Sequence, residues 1–380
     1  MVIQSRAIVP ALVALAAAAG PVDRNLAAIM TSGSILPSPL HAGDGIVTSD
    51  LQVGFTVSST GSVSVTDGDT LTTRNRSFIG SGVGATGEVD ITGATWDAES
   101  AVFIARNFLS EGTVTVTDGT WTVESNLDIA QGDQSVGEVI LNSGSWTVEF
   151  GVDIADCEDC QGTVTLNGGT WTAKTGVVVG GLGFTDSNGD GSINIGTGAL
   201  MDSRYGLHIT DLGSLQLDGG TLSLAGESSF DGVVDATPSG GTMRLNVGPV
   251  AGGIGLLNVS DDVDLSGIEI EIAFHPDFTP DPAETFDLFE AHGLLELSAI
   301  LDAASLITPP AQWQLDHGTG VLSLIPEPAT ATLLLTGLSA ATRRRPPSRS
   351  VVRKAPVSRR APRRAAWPLP STGRGAPRRP

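Results

Sequence analysis

The 380-residue sequence is poor in aromatic residues, basic residues and cysteine. Phe, Trp and Tyr together make up 5% of the chain, whereas glycine occurs 48 times. Scarce aromatics and abundant Gly, Thr, Ser and Asp are unfavourable for helices and are typical of an all-β chain with many turns. The length fits one large domain or two ordinary ones.

Basic residues are nearly absent from most of the chain. Only 8 of the 21 Lys and Arg residues precede residue 343, against all 42 Asp and Glu residues, so that residues 1–342 carry a net charge of −34. Residues 343–380 carry the other 13 basic side chains and no acidic one. Because an acidic body repels nucleic acid and other polyanions unless divalent cations bridge them, we expect no nucleic-acid partner for the mature body.

Cysteine occurs twice, as Cys157 and Cys160 in the segment Cys-Glu-Asp-Cys. A metal site with four ligands needs further partners, and the five histidines are scattered without ligand spacing. The pair also lacks the βαβ context of a thioredoxin-like redox motif. In an exported chain it predicts a local disulfide bond, with an inert reduced pair as the alternative.

Catalytic motifs are also missing from the sequence. No Ser or Cys nucleophile motif occurs, most Asp and Glu residues fall at turns or outward positions, and Arg76 and Arg106 do not share one column of the repeat described below. We therefore predict a protein that is not an enzyme and needs no cofactor. The competing hypothesis is a polysaccharide lyase or hydrolase, which requires acidic and basic side chains converging on one groove.

A repeat of 25 residues organises the chain. Its four gapless copies begin at Gly87, Gly112, Gly137 and Gly162. One tryptophan occupies the same position in each copy: Trp96, Trp121, Trp146 and Trp171. Val, Ile and Leu recur in register at the other apolar positions. A fixed period of this length is the signature of a repeat architecture.

Within one copy, apolar and polar residues alternate in three short runs that turn residues separate. In the copy that begins at Gly112, the apolar members are Val114 and Val116, then Trp121 and Val123, then Leu127 and Ile129. Period-two alternation predicts three strands with one buried face each. Because one coil buries too little apolar surface to fold alone, we expect successive coils to stack about 4.8 Å apart.

The predicted fold is therefore an all-β parallel β-solenoid (β-helix) of seven to eight coils of about 25 residues, closed by a C-terminal β cap. We assign residues 46–250 to the repeats and 251–324 to the cap. Leu71, Leu200 and Leu222 are expected in the tryptophan column, and Gly241 is expected to begin a last coil. The tryptophans are interpreted as an internal ladder; the alternative is an exposed platform on which sugar rings stack.

One loop resembles a calcium-binding loop in its spacing. Asp186, Asn188 and Asp190 alternate before Gly191, and Asn194 falls at the ninth position. Oxygen ligands at alternating positions are typical of such loops, but the twelfth position is Thr197 instead of a bidentate Glu. Calcium is therefore one interpretation of these four residues, and a plain polar turn is the other.

The N-terminus reads as a secretory signal over residues 1–20. Arg6 supplies the positive charge, Ala7–Ala19 the apolar run, and the alanine-rich sequence offers cleavage points. The run is too short for an ordinary membrane span, and a buried N-terminal helix is the alternative. Residues 21–45 are expected to be a linker or an N-terminal cap.

A three-part signal occupies residues 325–345. Pro326-Glu327-Pro328 precedes the uncharged, mostly apolar run Ala329–Ala341, and Arg343, Arg344 and Arg345 close it. This order resembles the PEP-CTERM sorting signal of Gram-negative bacteria that make extracellular polysaccharide. The Gly…Trp repeats, across about residues 61–225, are similar to those that autotransporter passengers share with PEP-CTERM proteins. Residues 346–380, rich in Arg and Pro, read as a disordered tail.

The resemblance implies processing by an exosortase-type membrane protease, with a transient inner-membrane intermediate held through the C-terminal helix. It further implies export to the cell surface or beyond, with extracellular polysaccharide as a partner. We therefore expect a non-catalytic, exported structural or adhesive protein of the bacterial cell surface or exopolysaccharide matrix. The alternatives are a carbohydrate-binding or calcium-dependent adhesin module and the polysaccharide-acting enzyme.

Overall fold

The structure, a computed structural model, describes residues 29–37, 45–181, 188–236, 240–247, 256–260, 265–274, 285–292, 305–307, 313–316 and 319–324. The chain divides into two units, Met1–Pro326 and Glu327–Pro380, and every described residue belongs to the first unit. All described elements of regular structure are β-strands, in agreement with the predicted all-β class.

The described residues form 34 strands. In chain order they are β1 (Ile29–Gly33), β2 (Ile35–Leu36), β3 (Gly45–Val47), β4 (Leu51–Val53), β5 (Thr60–Thr66), β6 (Thr70–Thr73), β7 (Ser77–Ile79), β8 (Thr86–Thr92), β9 (Thr95–Ala98), β10 (Val102–Ile104), β11 (Glu111–Thr117), β12 (Gly119–Val123), β13 (Leu127–Ile129), β14 (Val136–Leu141), β15 (Gly144–Val148), β16 (Val152–Ile154), β17 (Gln161–Leu166), β18 (Thr170–Ala173), β19 (Val177–Val179), β20 (Asp190–Gly196), β21 (Leu200–Ser203), β22 (Leu207–Ile209), β23 (Gly213–Asp218), β24 (Thr221–Leu224), β25 (Glu227–Phe230), β26 (Val233–Ala236), β27 (Gly241–Val247), β28 (Leu256–Ser260), β29 (Ile268–Phe274), β30 (Thr285–Asp287), β31 (Phe289–His292), β32 (Ser305–Ile307), β33 (Trp313–Asp316) and β34 (Val321–Leu324).

Three long sheets take these strands in rotation, so that one coil contributes one strand to each sheet. Sheet A has the order β1-β5-β8-β11-β14-β17-β20-β23-β26, sheet B the order β2-β4-β7-β10-β13-β16-β19-β22-β25-β28-β31, and sheet C the order β3-β6-β9-β12-β15-β18-β21-β24-β27-β29-β32. From β4 and β5 onward, neighbouring strands within each sheet are parallel. The chain is therefore a parallel β-solenoid of about eight coils, as the repeat predicts.

The alternation of residues places one face of each strand in the core. In β11, Val114 and Val116 are fully buried, while the threonines that alternate with them face outward and are partly exposed. Val114 pairs with Val89 in the preceding coil and with Val139 in the following coil. The columns read from the 25-residue period are therefore the columns of the core, and each coil completes its burial against its two neighbours.

The tryptophans form an internal ladder. Adjacent ring centroids lie 5.1, 5.0 and 4.4 Å apart, with interplanar angles of 7–8°. All four side chains are at most 1% exposed. This burial confirms the internal interpretation, and the alternative of an exposed sugar-stacking platform built from these tryptophans is wrong.

The backbone conformation explains why a small residue recurs at the corner where each sheet B strand leads into sheet A. Ala105, Ala130 and Ala155 follow β10, β13 and β16 with φ of 55–61°, and Gly80 and Gly180 take the same place elsewhere with φ of 67° and 84°. This left-handed conformation disfavours bulky and β-branched residues. The glycine at the start of each copy packs against the same corner: a Cβ on Gly112 would lie 2.7 Å from the backbone nitrogen of Ala105.

Two register predictions fail beyond the fourth copy. Met201, and not Leu200, follows Trp171 in the column, because the turn that ends at Ala199 contains one residue more than in the earlier copies. Leu71 and Leu222 take the predicted places. The strand that begins at Gly241 belongs to sheet C, with Met243 in the tryptophan column, so it does not begin a coil.

The two ends of the stack differ from the middle. At the N-terminal end, β1 and β2 pair antiparallel with β5 and β4 and so cover the first edges of sheets A and B. At the other end, β28, β29, β31 and β32 continue sheets B and C beyond residue 250. Only β30, β34 and β33 leave the solenoid pattern and form a separate antiparallel sheet.

Candidate functional site

A disulfide bond joins Cys157 and Cys160 at the corner between β16 and β17, where the Cα atoms lie 5.7 Å apart. The bonded cysteines are 7% and 1% exposed and cluster with Ala130 and Ala155. The bond is therefore part of the packing of this corner, as the spacing of the pair predicts for an exported chain.

The predicted calcium ligands lie at the equivalent corner of the next coil, between β19 and β20, and on β20 itself. Asn188 is engaged with Asp159: its Nδ2 donates to Asp159 Oδ1 at 2.5 Å, and its Oδ1 accepts the Asp159 backbone N–H at 2.9 Å. Asp190 and Asn194 face outward on the extended β20, which spaces their Cα atoms about 13 Å apart, whereas ligands of one Ca²⁺ lie within 2.3–2.6 Å of it. Asp186 lies outside the described residues, and the calcium loop stays a prediction.

The targeting residues lie outside the part of the chain that the structure describes. This applies to the secretory signal at residues 1–20 and to the six residues of the sorting signal: Pro326, Glu327, Pro328, Arg343, Arg344 and Arg345. The described residues contain no helix that is long and apolar enough to span a membrane.

Five of the six basic residues in the described ranges form ion pairs with carboxylates. The pairs, all partly exposed, are Arg74–Glu99, Arg76–Asp50, Lys174–Glu149, Arg204–Asp202 and Arg244–Glu271. The Lys174 pair, with 2.6 Å between Nζ and Oε1, joins adjacent coils. The sixth residue, Arg106, lies over two phenylalanine rings, with Cζ 4.7 Å from the Phe103 centroid and 5.1 Å from that of Phe78.

These rings belong to the outward column of sheet B, formed by the middle residue of each short strand. In successive coils this outer B column reads Gln52, Phe78, Phe103, Asp128, Asp153, Val178 and His208. Phe78 and Phe103 stack with centroids 5.1 Å apart and planes 13° apart. Aromatic and cationic groups thus lie next to carboxylates on one face.

The carboxylates of this column are held in an unfavourable environment. Burial, followed by repulsion from Asp153, raises the pKa of Asp128 to about 6, although Arg106 opposes the shift. Burial and the neighbouring Asp156 also raise the pKa of Asp153. Near neutral pH, Asp128 can therefore exchange a proton beside another carboxyl group. Among the described residues, however, no group of three or more His, Cys, Asp or Glu side chains is placed to hold a metal ion.

A shallow groove opens where the coil length changes. Seven residues separate Ile154 from Gly162 at the regular corner, but eleven separate Val179 from Gly191 and only three separate Ile209 from Gly213. The step between the long and short corners leaves a cavity of about 400 Å³ on sheet A. Its lining includes Thr163, Asp190, Ser192, Asp211, Leu212 and Ser214.

Sequence reasoning missed both features. The outer B column carries the same 25-residue period as the core, so aligning its middle positions would have placed Phe78, Phe103, Asp128 and Asp153 in one row. The groove is marked by uneven spacing of the corner glycines, with 29 residues from Gly162 to Gly191 and 22 from Gly191 to Gly213.

Comparison of the chain with protein-family models, curated proteins and solved structures finds no match in any of the three. Function must therefore be inferred from the residues of this chain.

Proposed function

We propose that this chain is an exported, non-catalytic structural or adhesive protein of the bacterial cell surface or exopolysaccharide matrix. An exosortase-type protease sorts it through the Pro326-Glu327-Pro328 signal, and the solenoid is the part that remains outside the cell. The membrane is a transient partner, and extracellular polysaccharide is the lasting one.

The observation that carries this proposal is the regular stack of coils. Each strand of the repeat pairs in register with the equivalent strands before and after it, and four indoles stack through the centre. Because each coil contacts mainly its neighbours, such a stack extends a surface in one direction without a central cleft. This architecture suits a spacer or a display surface.

Two further features favour export. Disulfide bonds form and persist mainly in oxidising compartments, and Cys157 is bonded to Cys160. The body is also strongly acidic before residue 343, which keeps a protein with outward Thr and Ser rows soluble and discourages contact with nucleic acid.

The test is expression of the full chain in a Gram-negative host that has an exosortase, followed by fractionation, thiol labelling and intact-mass measurement. We expect surface-associated or released protein that has lost both signals and has no free thiol. Joint alanine substitution of Pro326, Glu327 and Pro328 should leave unprocessed protein in the membrane fraction. Substitution of Pro309 and Pro310 by alanine is the matched control and should process normally. Cytoplasmic wild-type protein with two free thiols would overturn the proposal.

The second candidate function is hydrolysis of a polysaccharide, and one observation favours it. Asp128 and Asp153 pair directly on neighbouring strands, and the raised pKa of Asp128 suits a general acid. A screen of neutral and acidic polysaccharides for new reducing ends separates the two functions. Activity that Asp128→Asn removes would replace the non-catalytic proposal with this one.

A further inference from the structure

Two exposed aromatic side chains stand at the corner where sheet C strands lead into sheet B. Phe150 is 56% exposed and Tyr205 is 47% exposed, and Tyr205 is the only tyrosine in the chain. In a chain with so few aromatic residues, large rings held in solvent call for an explanation.

The two rings occupy the same place in the repeat. Val148, Ala173 and Ser203 align in sheet C, and Val152, Val177 and Leu207 align in sheet B. Three residues connect the two sheets in each of these coils, so Phe150, Thr175 and Tyr205 are equivalent positions in three successive coils. The rings therefore lie two strand spacings apart, about 10 Å, with a small residue between them.

The next coil continues this alternation of large and small residues. Leu224 aligns with Ser203, and Ser229 aligns with His208, which places Gly226 at the position equivalent to Tyr205. The column thus reads Phe150, Thr175, Tyr205, Gly226. Thr175 and Gly226 leave the space beside each ring free of other bulky side chains in the column.

Two ion pairs border this column: Glu149, Lys174 and Arg204 each directly precede a column residue, and Asp202 lies on the adjoining strand β21. Lys174 Nζ lies 2.6 Å from Glu149 Oε1, and Arg204 Nε lies 3.1 Å from Asp202 Oδ2. All four side chains are partly exposed. They place hydrogen-bond donors and acceptors beside the rings without a large local excess of either charge.

We propose that the aromatic strip, formed by Phe150, Thr175 and Tyr205 with the two bordering ion pairs, binds a neutral, extended polysaccharide. The apolar faces of alternate sugar rings stack on Phe150 and Tyr205, and sugar hydroxyls exchange hydrogen bonds with the ion pairs. The inference rests on the proposed function, because it names the class of ligand that an adhesive solenoid would bind and the surface that would bind it.

Charge and size select this occupant over others. A body with a net charge of −34 before residue 343 repels acidic polymers, which favours a neutral chain. A stable protein partner typically buries about 800 Å² on each side, and two rings separated by a threonine offer much less. A linear glycan needs only a narrow strip, and the column runs along the stacking direction.

The test uses the full chain and titrates it with cellohexaose, mannohexaose and maltohexaose by calorimetry, together with the parent polymers in affinity electrophoresis. We expect wild-type protein to bind at least one of these glycans. Phe150→Ala and Tyr205→Ala should each weaken that binding about tenfold, whereas Tyr205→Phe should retain most of it. The matched control is Phe108→Ala, since Phe108 is 46% exposed at a different corner of the coil.

Wild-type protein that binds none of these glycans would overturn the inference, and so would binding that both alanine variants retain or that Phe108→Ala weakens equally. The substituted rings are exposed, so circular dichroism of each variant should match that of the wild type. An exported, processed protein that binds none of these neutral glycans would overturn this inference but leave the proposed export and sorting intact. A cytoplasmic protein that binds glycans through Phe150 and Tyr205 would instead contradict the proposed function.

Discussion

At the scale of single residues, each indole in the stacked column carries one N–H group that needs an acceptor. Trp96 Nε1 donates to Thr73 Oγ1 at 3.2 Å, in the preceding coil. The Nε1 atoms of Trp121, Trp146 and Trp171 are buried without a hydrogen-bond partner in the described structure. The positions equivalent to Thr73 in the following coils hold Ala98, Val123 and Val148, whose side chains cannot accept the hydrogen. Apolar side chains at these three positions therefore leave three buried indole N–H groups without an acceptor.

Val123→Thr should repair one of these defects. The two side chains have nearly the same shape, and the new hydroxyl would take the place relative to Trp146 that Thr73 has relative to Trp96. A buried donor without a partner costs about 1–3 kcal/mol, so we expect the substitution to raise the free energy of unfolding by about 1 kcal/mol. Urea unfolding followed by tryptophan fluorescence measures this change.

The matched control is Val116→Thr. Val116 is equally buried but faces the core from sheet A. It does not occupy the position relative to a tryptophan that Thr73 has relative to Trp96, so no indole N–H is placed to donate to a hydroxyl there. There the hydroxyl lacks such a donor, and we expect a loss of about 1–3 kcal/mol. Equal effects of the two substitutions would mean that the Trp146 N–H is not the determining contact.

The inward residues could be predicted from the sequence because burial leaves a period. Trp96 to Trp171 and the valine columns repeat at 25 residues, and stacking in register follows directly from that spacing. The sequence predicts Leu200 in the tryptophan column, but Met201 occupies it, because one additional residue in a turn shifts the register without changing the alternating pattern. The hydrogen-bond partner of Trp96 was equally hidden, because it depends on a side chain in the neighbouring coil.

At the scale of strands and sheets, the outward faces obey weaker rules than the core. Rows of Thr, Ser and Asn form hydrogen bonds between coils, as from Asn167 to Asn142 and from Asn142 to Thr117. The outer B column instead changes from Phe to Asp within two coils. The 25-residue period shows which residues share this column, but alternation of polar and apolar residues does not predict which side chains an outward column contains, so the change from Phe to Asp was not expected.

Asp128 in that column makes stability depend on pH. Its pKa of about 6 in the folded protein exceeds the value near 3.9 expected when unfolded. The folded state therefore binds more protons between about pH 4 and 6, and stability falls as pH rises through that window. Asp128→Asn should flatten this dependence and stabilise the protein at pH 7.5 by about 1–3 kcal/mol, measured by urea unfolding from pH 3.5 to 7.5.

Two charged neighbours of Asp128 provide controls, because removing one should lower the Asp128 pKa and removing the other should raise it. Asp153→Asn removes a charge that raises the Asp128 pKa, so a carboxyl NMR titration should find Asp128 titrating at lower pH. Arg106→Gln removes the cation that lowers this pKa, and the titration should move to higher pH. A titration curve that neither substitution moves would show that the charges of Asp153 and Arg106 do not contribute to the shift.

At the scale of the whole first unit, a solenoid must close the open edges of its sheets. Parallel strands leave unpaired N–H and C=O groups at both ends of the stack, and such edges invite association with other chains. Here β1 and β2 reverse direction and cover the first edges of sheets A and B. Ile29 and Ile35 anchor them in the core, at 4% and 6% exposure.

Deletion of Ile29–Leu36 should therefore make the protein associate with itself more strongly than the wild type does. The edges of β4 and β5 would lose their antiparallel partners, and light scattering after gel filtration should show a mass that grows with concentration in the micromolar range. Ile29→Ala is the control, because it removes core contacts worth about 2–5 kcal/mol but leaves the covering backbone in place. That variant should unfold at lower urea concentration and associate no more than the wild type. If it associates as readily as the deletion, lost stability and not the exposed edge drives association.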